Sequence, residues 1–503
     1  MPMVPAVMRH PAAVAWLLVG VVAFAASVMV YWQIVLSEPR LWIHLDEGVY
    51  RAAGTLARQH PADLYRVRMG EPGQQQLRFT YPPFAALLFA AASPLSFGIW
   101  QIALVVTDLI LLPAITCASL RVSGPGAWGS RLVGGSGRSE LGSSRTGLAG
   151  AGFALLLAAI GLWLEPVYMS MFYGQLNLIL LALIIADLAL PDSSRWKGAG
   201  IGFAAGIKLT PLIFVPYLLA SRRVRAGVVA LLAFAATVAI GFAVLPAASR
   251  DYWGGRFAVY RGTGQLVNQS VNGVVQRLLH GDPPAQAVWL PLAIIIVVAG
   301  LATAVLASRR GLELLGVVLC GVTGLLASPL SWTHHWVWVL PGLTLMAAGS
   351  RRSGVGRSNA ARGGRGGSAG GSPGARDPAG GAAGTGPAGV CSRNWIWRAA
   401  GAAVIVALFV AWPIPQRAGH ITEWLPAGFL RLAPYGQHQV YTWHGATLLL
   451  GNSYVIAGAA AIAGTAGYLW FTRGRQRELV ATGRAARSQP AKSGQLKRGG
   501  SLD

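Results

Sequence analysis

The chain is poor in charged residues, which make up 12% of its 503 positions, whereas hydrophobic residues make up 54%. Soluble domains carry about twice that charged fraction, so this composition argues against a soluble protein. Cysteine is also scarce: Cys117, Cys320 and Cys391 follow no metal-ligand spacing, which predicts neither disulfides nor a metal centre. A P-loop or a Gly-x-Gly-x-x-Gly motif at a strand–helix junction is missing as well, which argues against nucleotide binding.

Acidic residues are few, 17 against 41 lysines and arginines, and the net charge of +24 at first suggests nucleic-acid binding. The position of the charge argues otherwise, because the basic residues crowd short loops and two tails. That is the positive-inside distribution of membrane proteins, together with attraction to anionic lipid headgroups. We therefore expect membrane lipids as partners and no nucleic acid.

Long apolar segments approach or exceed the ~20 residues that a helix needs to cross a bilayer. They predict an all-α polytopic membrane protein. The first segment continues to about Leu36, so we interpret it as a spanning helix rather than a cleaved signal. The predicted helices are 13–36, 99–120, 149–165, 175–190, 225–247, 286–307, 311–327, 336–349, 398–413 and 453–471.

Two segments are harder to place. Residues 84–96 lie between prolines and are too short to span comfortably, and 198–220 contain Lys208, Pro211 and Pro216, which predicts a broken helix or a tight hairpin. If each dips in or crosses an even number of times, all basic loops share the cytoplasmic side and both termini lie inside. The count is then about 10–12 transmembrane helices.

The domain organisation follows from composition. We predict a transmembrane catalytic module (1–349), a disordered Gly/Arg-rich cytoplasmic linker (350–397), C-terminal transmembrane helices with an outward loop (398–472) and a basic disordered tail (473–503). The outward loops 37–80, 248–285 and 414–452 are rich in aromatic and amide residues, and pieces of each are typical of interfacial amphipathic helices.

The polar clusters between the apolar segments all fall on the predicted outward side. Burying such groups near lipid costs several kcal/mol each unless they are paired or used, so their gathering indicates a site. The clusters are LDEGVY around Asp46, WLEPVY around Glu165, YGQLN (173–177), NQSVN (268–272) and SPLSWTHHW (328–336).

Asp46 directly precedes an amphipathic segment that includes Tyr50. It is interpreted either as a helix N-cap or as a general base held at a loop–helix junction. Tyr81-Pro82-Pro83 ends the same loop, and it suits a helix start as well as a substrate contact.

Glu165 ends one apolar segment, and Gln175 and Asn177 begin the next. A carboxylate and two amides at one interfacial turn suit the recognition of hydroxyl groups, and capping of the two helix ends is the competing interpretation. Asn268 and Gln269 belong to a second amide cluster.

Lys208 is an unusually costly residue, because an intramembrane cation is by default functional and partnered by an anion. Snorkelling to the interface is the alternative. His334 and His335 point about 100° apart if they lie on a helix, so at most one is expected to reach a shared site. No accompanying His or Glu spacing indicates a metal.

Together the motifs resemble the actinobacterial polyprenol-phosphate-mannose-dependent alpha-1,2-mannosyltransferases, a family with the GT-C fold, and most of all its phosphatidylinositol mannoside mannosyltransferases. One departure is Glu47-Gly48 after Asp46, where a Leu-His-like pair is expected, and the resemblance weakens after residue 395. The strings that carry it are LDEGVY (45–50), FTYPPFAALLF (79–89), WLEPVY (163–168), YGQLNLIL (173–180), AAGIKLTP (204–211), NQSVNG (268–273) and SPLSWTHHWVW (328–338).

The resemblance implies an inverting transfer of mannose from polyprenyl-phosphate-mannose to a 2-hydroxyl of a phosphatidylinositol mannoside or related mannosylated glycolipid. The reaction would take place on the outer, periplasmic face of the plasma membrane, with no cofactor and no metal. Asp46 matches the family's catalytic aspartate and would act as general base. Lys208 and one of His334 or His335 would neutralise the leaving phosphate. Expected substrate contacts are Tyr50, Tyr81, Glu165, Tyr173, Gln175, Asn177, Asn268 and Gln269.

A transporter or flippase for lipid or sugar is the alternative from another class. Transporters tend to show internal repeats and midplane sites between broken helices. We find no convincing repeat, and only 198–220 fits that pattern.

Overall fold

The structure is a computed structural model that describes residues 11–37, 43–123, 140–255, 264–281, 284–348, 389–418, 421–427, 429–434 and 439–487. The predicted linker 350–397 lies outside the described residues as far as 388. The same holds for most of the basic loop 122–148 and for residues 488–503 of the predicted tail.

Helices dominate the described residues. In chain order they are α1 (Pro11–Ser37), α2 (Leu45–Gln59), α3 (Pro83–Ala92), α4 (Phe97–Val122), α5 (Glu140–Leu162), α6 (Glu165–Tyr173), α7 (Asn177–Ala189), α8 (Ala199–Ile207), α9 (Phe214–Ala220), α10 (Val224–Val244), α11 (Pro246–Trp253), α12 (Val271–Leu278), α13 (Pro284–Arg309), α14 (Glu313–Ala327), α15 (Val339–Ala348), α16 (Gly389–Phe409), α17 (Gly445–Gly451) and α18 (Ser453–Arg487). Two antiparallel hairpins join β1 (Arg68–Met69) to β2 (Leu77–Arg78) and β3 (Trp412–Ala418) to β4 (Ile421–Ala427).

Five of the described helices are long and apolar enough to cross a membrane: α1, α4, α10, α13 and the Ser453–Thr472 part of α18. Six shorter apolar helices of 10–17 residues accompany them. The prediction of an all-α polytopic membrane protein is confirmed. The helix boundaries mostly agree with the apolar runs, although α16 begins at Gly389, ahead of the predicted 398.

The segment 198–220 is a re-entrant hairpin. Gly198 packs against Ala226 and Gly206 against Thr237, so α8 rises beside α10 for about 12 Å. The helix ends at Lys208, whose backbone is extended (φ −145°, ψ 132°). After a 3-10 turn at Thr210–Ile213, α9 returns and packs against the first turn of α10. Both ends of the segment therefore lie on one side, with Lys208 at the tip.

The short helix α3 lies beside the amphipathic α2 instead of crossing the bundle. A Cβ atom at Gly54 of α2 would lie 2.6 Å from the Phe89 carbonyl, so the two backbones are in contact. Pro83 at the start of α3 packs near Gly241, one helical turn beyond the Thr237 that contacts the hairpin tip. The loop that ends in Tyr81 therefore lies at the same depth along α10 as Lys208.

Basic loops gather at the opposite end of α10. Arg223 forms a double contact with Glu313 at 2.6 and 2.7 Å, Arg225 donates to the Asp192 carbonyl, and Arg310 donates to the Leu469 carbonyl. From Arg223 to Gly241 is 18 residues, or about 27 Å of helix. The polar motifs and these basic helix ends are thus separated by most of the bundle's thickness.

One outward loop departs from expectation. Residues 412–418 and 421–427 pair as strands β3 and β4, in an outward loop of which pieces were expected to be interfacial amphipathic helices. Pro413, Pro415 and Pro426 are the physical reason, because proline removes a helical hydrogen bond and clashes with the preceding turn. The first outward loop does contain the expected amphipathic helix, α2.

Candidate active site

Asp46 is the second residue of α2. The residue that precedes the helix is His44, with a left-handed backbone (φ 45°), and its side chain makes no capping hydrogen bond. Interpreting Asp46 as the N-cap is therefore wrong. Its carboxylate is half-buried and accepts a side-chain hydrogen bond from Gln175, in the turn between α6 and α7.

Two tyrosines fix the orientation of that glutamine. The Tyr50 and Tyr81 hydroxyls donate to Gln175 Oε1 at 3.1 and 3.2 Å, and they lie 2.8 Å from each other. Because the amide oxygen already accepts from the tyrosines, the amide NH₂ is the group that faces Asp46. The first outward loop supplies both tyrosines and Asp46, so α2, α3 and the α6–α7 turn together build this side of the site.

Lys208 forms the cationic side of the same site. Its Nζ donates to Asn177 Oδ1 at 3.2 Å and to His335 Nε2 at 3.1 Å, and it lies 5.6 Å from the centre of the Tyr81 ring. None of the ion pairs in the described part of the chain includes Lys208. The ammonium is thus held by neutral acceptors within the bundle, which leaves its charge available to an anionic ligand.

The two histidines have different surroundings. A lysine ammonium can only donate, so His335 Nε2 accepts and a neutral His335 carries its proton on Nδ1. His334 packs its ring 5.2 Å from that of Tyr173, and its carbonyl accepts from Asn177 at 2.9 Å. His335 is therefore the histidine that joins the lysine.

Burial governs the acidity of Asp46. It raises the pKa of the carboxyl to about 6, against the opposing effects of the Gln175 hydrogen bond and the positive charge of Lys208. A carboxylate with a pKa near 6 is mostly ionised at neutral pH, yet it is more basic than an exposed aspartate. Both properties suit a group that must accept a proton.

A narrow cavity of about 50 Å³ begins at the polar groups of Lys208, Asn177 and His335. It continues between apolar side chains of α7, α9, α14 and the 3-10 turn before α15. These include Leu181, Ile184, Phe214, Leu325 and Trp338. One end of the cavity thus suits an anion and the other a hydrocarbon.

The chain matches known proteins over most of its length. The family model of glycosyltransferase family 87 matches residues 79–329. A polyprenol-phosphate-mannose-dependent alpha-(1-2)-phosphatidylinositol mannoside mannosyltransferase of Mycobacterium tuberculosis is 32% identical over 350 residues, which cover 68% of this chain and 78% of that protein. The chain belongs to glycosyltransferase family 87.

Other relatives agree. The mannosyltransferase of the same description from Mycolicibacterium smegmatis is 32% identical over 363 residues, covering 68% of this chain and 78% of its own length. A phosphatidylinositol pentamannoside mannosyltransferase of Mycobacterium tuberculosis is 33% identical over 321 residues, 61% of this chain and 67% of that one. No solved structure matches the fold.

The residues of the candidate site extend beyond the region that the family model matches. Tyr81, Gln175 and Lys208 fall within residues 79–329, whereas Asp46 precedes that region and His335 follows it. The structure joins all five through the contacts described above, although they come from four separate stretches of the chain.

Asn268 and Gln269 take no part in the contacts that join the five residues, and they instead hold the surrounding backbone in place. Both are fully buried. The Asn268 side chain accepts from the Ser331 amide at 3.0 Å, and the Gln269 side chain donates to the Leu266 and Gly451 carbonyls at 2.7 Å each. The loop they belong to therefore holds the 328–336 segment, which carries the histidines, in place.

Glu165 is likewise drawn elsewhere. It is the first residue of α6, fully buried, and accepts a hydrogen bond of 2.9 Å from Tyr454 on α18. Tyr454 packs on Trp336 and Phe409. The contact joins α6 to the C-terminal helices, so Glu165 stabilises the packing of α6 next to the candidate site.

A buried acid–histidine pair that the sequence motifs did not predict lies beside the site. His44 Nδ1 lies 2.6 Å from Glu47 Oε2, and both side chains are 1% exposed. Gly174 (φ +68°) packs against them, since a Cβ atom there would lie 2.7 Å from Glu47 Cβ. The pair thus fastens the start of α2 to the turn that carries Gln175. In the sequence, the only sign of this pair is the second acid of LDEGVY, Glu47, which directly follows Asp46.

Proposed function

We propose that this glycosyltransferase moves mannose from a polyprenyl-phosphate-mannose donor to a 2-hydroxyl of a phosphatidylinositol mannoside. The observation that carries the proposal is the meeting of a basic carboxylate, Asp46, with Lys208, a cation that forms no direct ion pair within the described residues, around the Gln175–Tyr81 contact. The relatives are named for the donor and acceptor classes that we propose here.

Asp46 acts as general base in this reaction. It takes the proton of the acceptor hydroxyl while that oxygen attacks the anomeric carbon of mannose, and the bond from that carbon to the phosphate oxygen breaks. A single displacement inverts the anomeric centre, so a beta-linked donor gives an alpha-linked product. Gln175 and the tyrosine hydroxyls fix the direction of the carboxylate, which general-base catalysis requires.

Lys208 and His335 stabilise the leaving group. The phosphate changes from a singly charged diester to a monoester whose negative charge grows as the bond breaks, so a fixed cation favours the transition state over the bound donor. His335 holds the ammonium through Nε2, and the Nδ1 proton of the neutral ring is a further donor. The apolar part of the adjoining cavity accommodates the first carbons of the polyprenyl chain.

The site faces the outside of the plasma membrane on this proposal, opposite to the basic helix ends. The positive-inside distribution supports that orientation, since Arg223, Arg225 and Arg310 lie at the other end of the bundle. A lipid-linked sugar donor then reaches Lys208 from the outer leaflet.

The test uses the full-length protein in detergent or vesicles with polyprenyl-phosphate-mannose labelled in the sugar. We expect a phosphatidylinositol mannoside extended by one mannose, with an alpha 1,2-linkage established by nuclear magnetic resonance of the product. A product of retained anomeric configuration would overturn the single displacement. Movement of labelled lipid between leaflets without any product would instead support the transporter.

A further inference from the structure

The β1–β2 hairpin places two arginines directly opposite each other. Arg68 pairs with Arg78 and Met69 with Leu77 in the antiparallel register. Side chains alternate between the two faces of such a ribbon, and here Met69 is buried while both arginines are exposed. Residues paired in this way have Cβ atoms about 5 Å apart, so the two guanidinium groups share one small area of the surface.

The described part of the chain holds no acid that forms an ion pair with either arginine. Among those residues, Arg68 makes only a 3.5 Å contact with the Gln76 carbonyl. Glu71, the sole acid of residues 66–78, is held at 2.6 and 2.9 Å by Arg51. Like charges directly opposite on a ribbon repel each other and destabilise the hairpin. An anion that bridges the two guanidinium groups would relieve this repulsion, which favours its binding.

The arginine pair is close to the proposed acceptor side of the active site. Arg78 comes three residues before Tyr81, so their Cα atoms are at most about 11 Å apart. The hydroxyl of Tyr65 donates to the Tyr81 carbonyl at 2.8 Å, and its ring packs against Phe79 and Tyr252. The base of the hairpin is therefore anchored beside the tyrosine that contacts Gln175.

We propose that Arg68 and Arg78 bind the phosphodiester of the acceptor's glycerolipid headgroup. The assignment rests on the proposed function. The guanidinium fork matches phosphate oxygens with paired hydrogen bonds, which makes arginine well suited to this ligand. Both arginines belong to the loop that carries Asp46, whereas the donor phosphate is assigned to Lys208 at the tip of the 198–220 hairpin. The pair therefore anchors the lipid end of the acceptor while its mannose reaches Asp46.

The test compares two acceptors in neutral detergent micelles, a phosphatidylinositol mannoside and octyl alpha-mannoside, which has the sugar without the phosphate. In Arg68→Gln and Arg78→Gln we expect KM for the phosphate-bearing acceptor to rise about tenfold, as loss of one charge-assisted contact predicts. We expect kcat, and KM for octyl mannoside, to stay unchanged. Arg195→Gln removes the same charge from an exposed site near the basic helix ends and should change neither KM.

Equal rises in KM for both acceptors would overturn the proposal, because they would mean a general distortion of the loop. A rise that appears only when anionic lipid is added to the micelles would overturn it too, in favour of a membrane-surface contact. Binding of radiolabelled phosphatidylinositol mannoside without donor gives a readout independent of transfer. It should weaken about tenfold in either variant. Unchanged binding in the variants would overturn the arginine assignment. Weakened binding in the variants, together with no mannose transfer by the unaltered protein, would support the assignment and overturn the proposed reaction.

Discussion

Lys208 donates a hydrogen bond to His335 Nε2 at 3.1 Å, across 127 residues of sequence. The contact specifies which histidine nitrogen is needed. A glutamine amide oxygen lies near the position of Nε2, whereas an asparagine oxygen lies nearer that of Nδ1. We therefore expect His335→Gln to retain much more mannose transfer than His335→Asn, measured as kcat/KM for the lipid donor. Equal losses in the two variants would contradict the role of Nε2.

Replacement of the proposed base gives the largest predicted loss. Asp46→Asn keeps the size of the side chain and removes its basicity, so we expect kcat to fall about 10²–10⁴-fold, the usual contribution of general-base catalysis. The matched control is Asp63→Asn, which alters a carboxylate in the 3-10 turn after α2 and should leave kcat nearly unchanged. Near-native transfer by a folded Asp46→Asn protein would rule out the assignment.

The pH profile follows from the pKa of Asp46, which is about 6. The ionised form is active, so kcat/KM should be level above pH 6 and fall about tenfold per unit well below it. The positive charge of Lys208 lowers this pKa. In Lys208→Met the acid limb should therefore move to higher pH, while Lys208→Arg should leave it close to its native position. An acid limb that stays in place in Lys208→Met would show that the two groups are not coupled.

Gly174 offers a test of how the site is held. Its φ of +68° and the closeness of Glu47 mean that Gly174→Ala strains the turn before Gln175. We expect destabilisation of about 1–2 kcal/mol from the left-handed backbone alone, seen as a lower midpoint of thermal unfolding. We also expect a lower kcat/KM. Gly98→Ala is the control, since nothing lies within 4 Å of a Cβ atom at that helical position.

The membrane orientation can be measured by labelling single cysteines on intact cells, after replacement of the native cysteines. A membrane-impermeant maleimide should modify Gln75→Cys at the β1–β2 hairpin and should not modify Ser193→Cys near the basic helix ends. Both positions are exposed in the structure. The reverse pattern would place the site on the inner face and remove the basis for an outer-leaflet donor.

The apolar runs predicted seven of the described helices, α1, α4, α7, α10, α13, α14 and α15, to within a few residues, because length and hydropathy decide which segments can lie in lipid. The motifs singled out Asp46, Gln175 and Lys208, and the structure brings these residues close to one another. The sequence could not show that Asn268 and Gln269 bond to backbone carbonyls and amides, since amides suit sugars and loops equally. Nor could it show the His44–Glu47 pair, which depends on a left-handed backbone and on the packing of Gly174.

The hairpin at 198–220 also constrains the order in which the protein is assembled. Its tip interrupts helical hydrogen bonding and carries a cation, and neither is stable against lipid alone. Asn177 precedes the hairpin in the chain, but α10 and His335 follow it. A growing chain therefore cannot complete the surroundings of Lys208 until residue 335 has been made and inserted. Biosynthetic fragments that stop before residue 335 should consequently be recognised as unfinished, which would link the lysine proposed to act in catalysis to quality control of the protein as well.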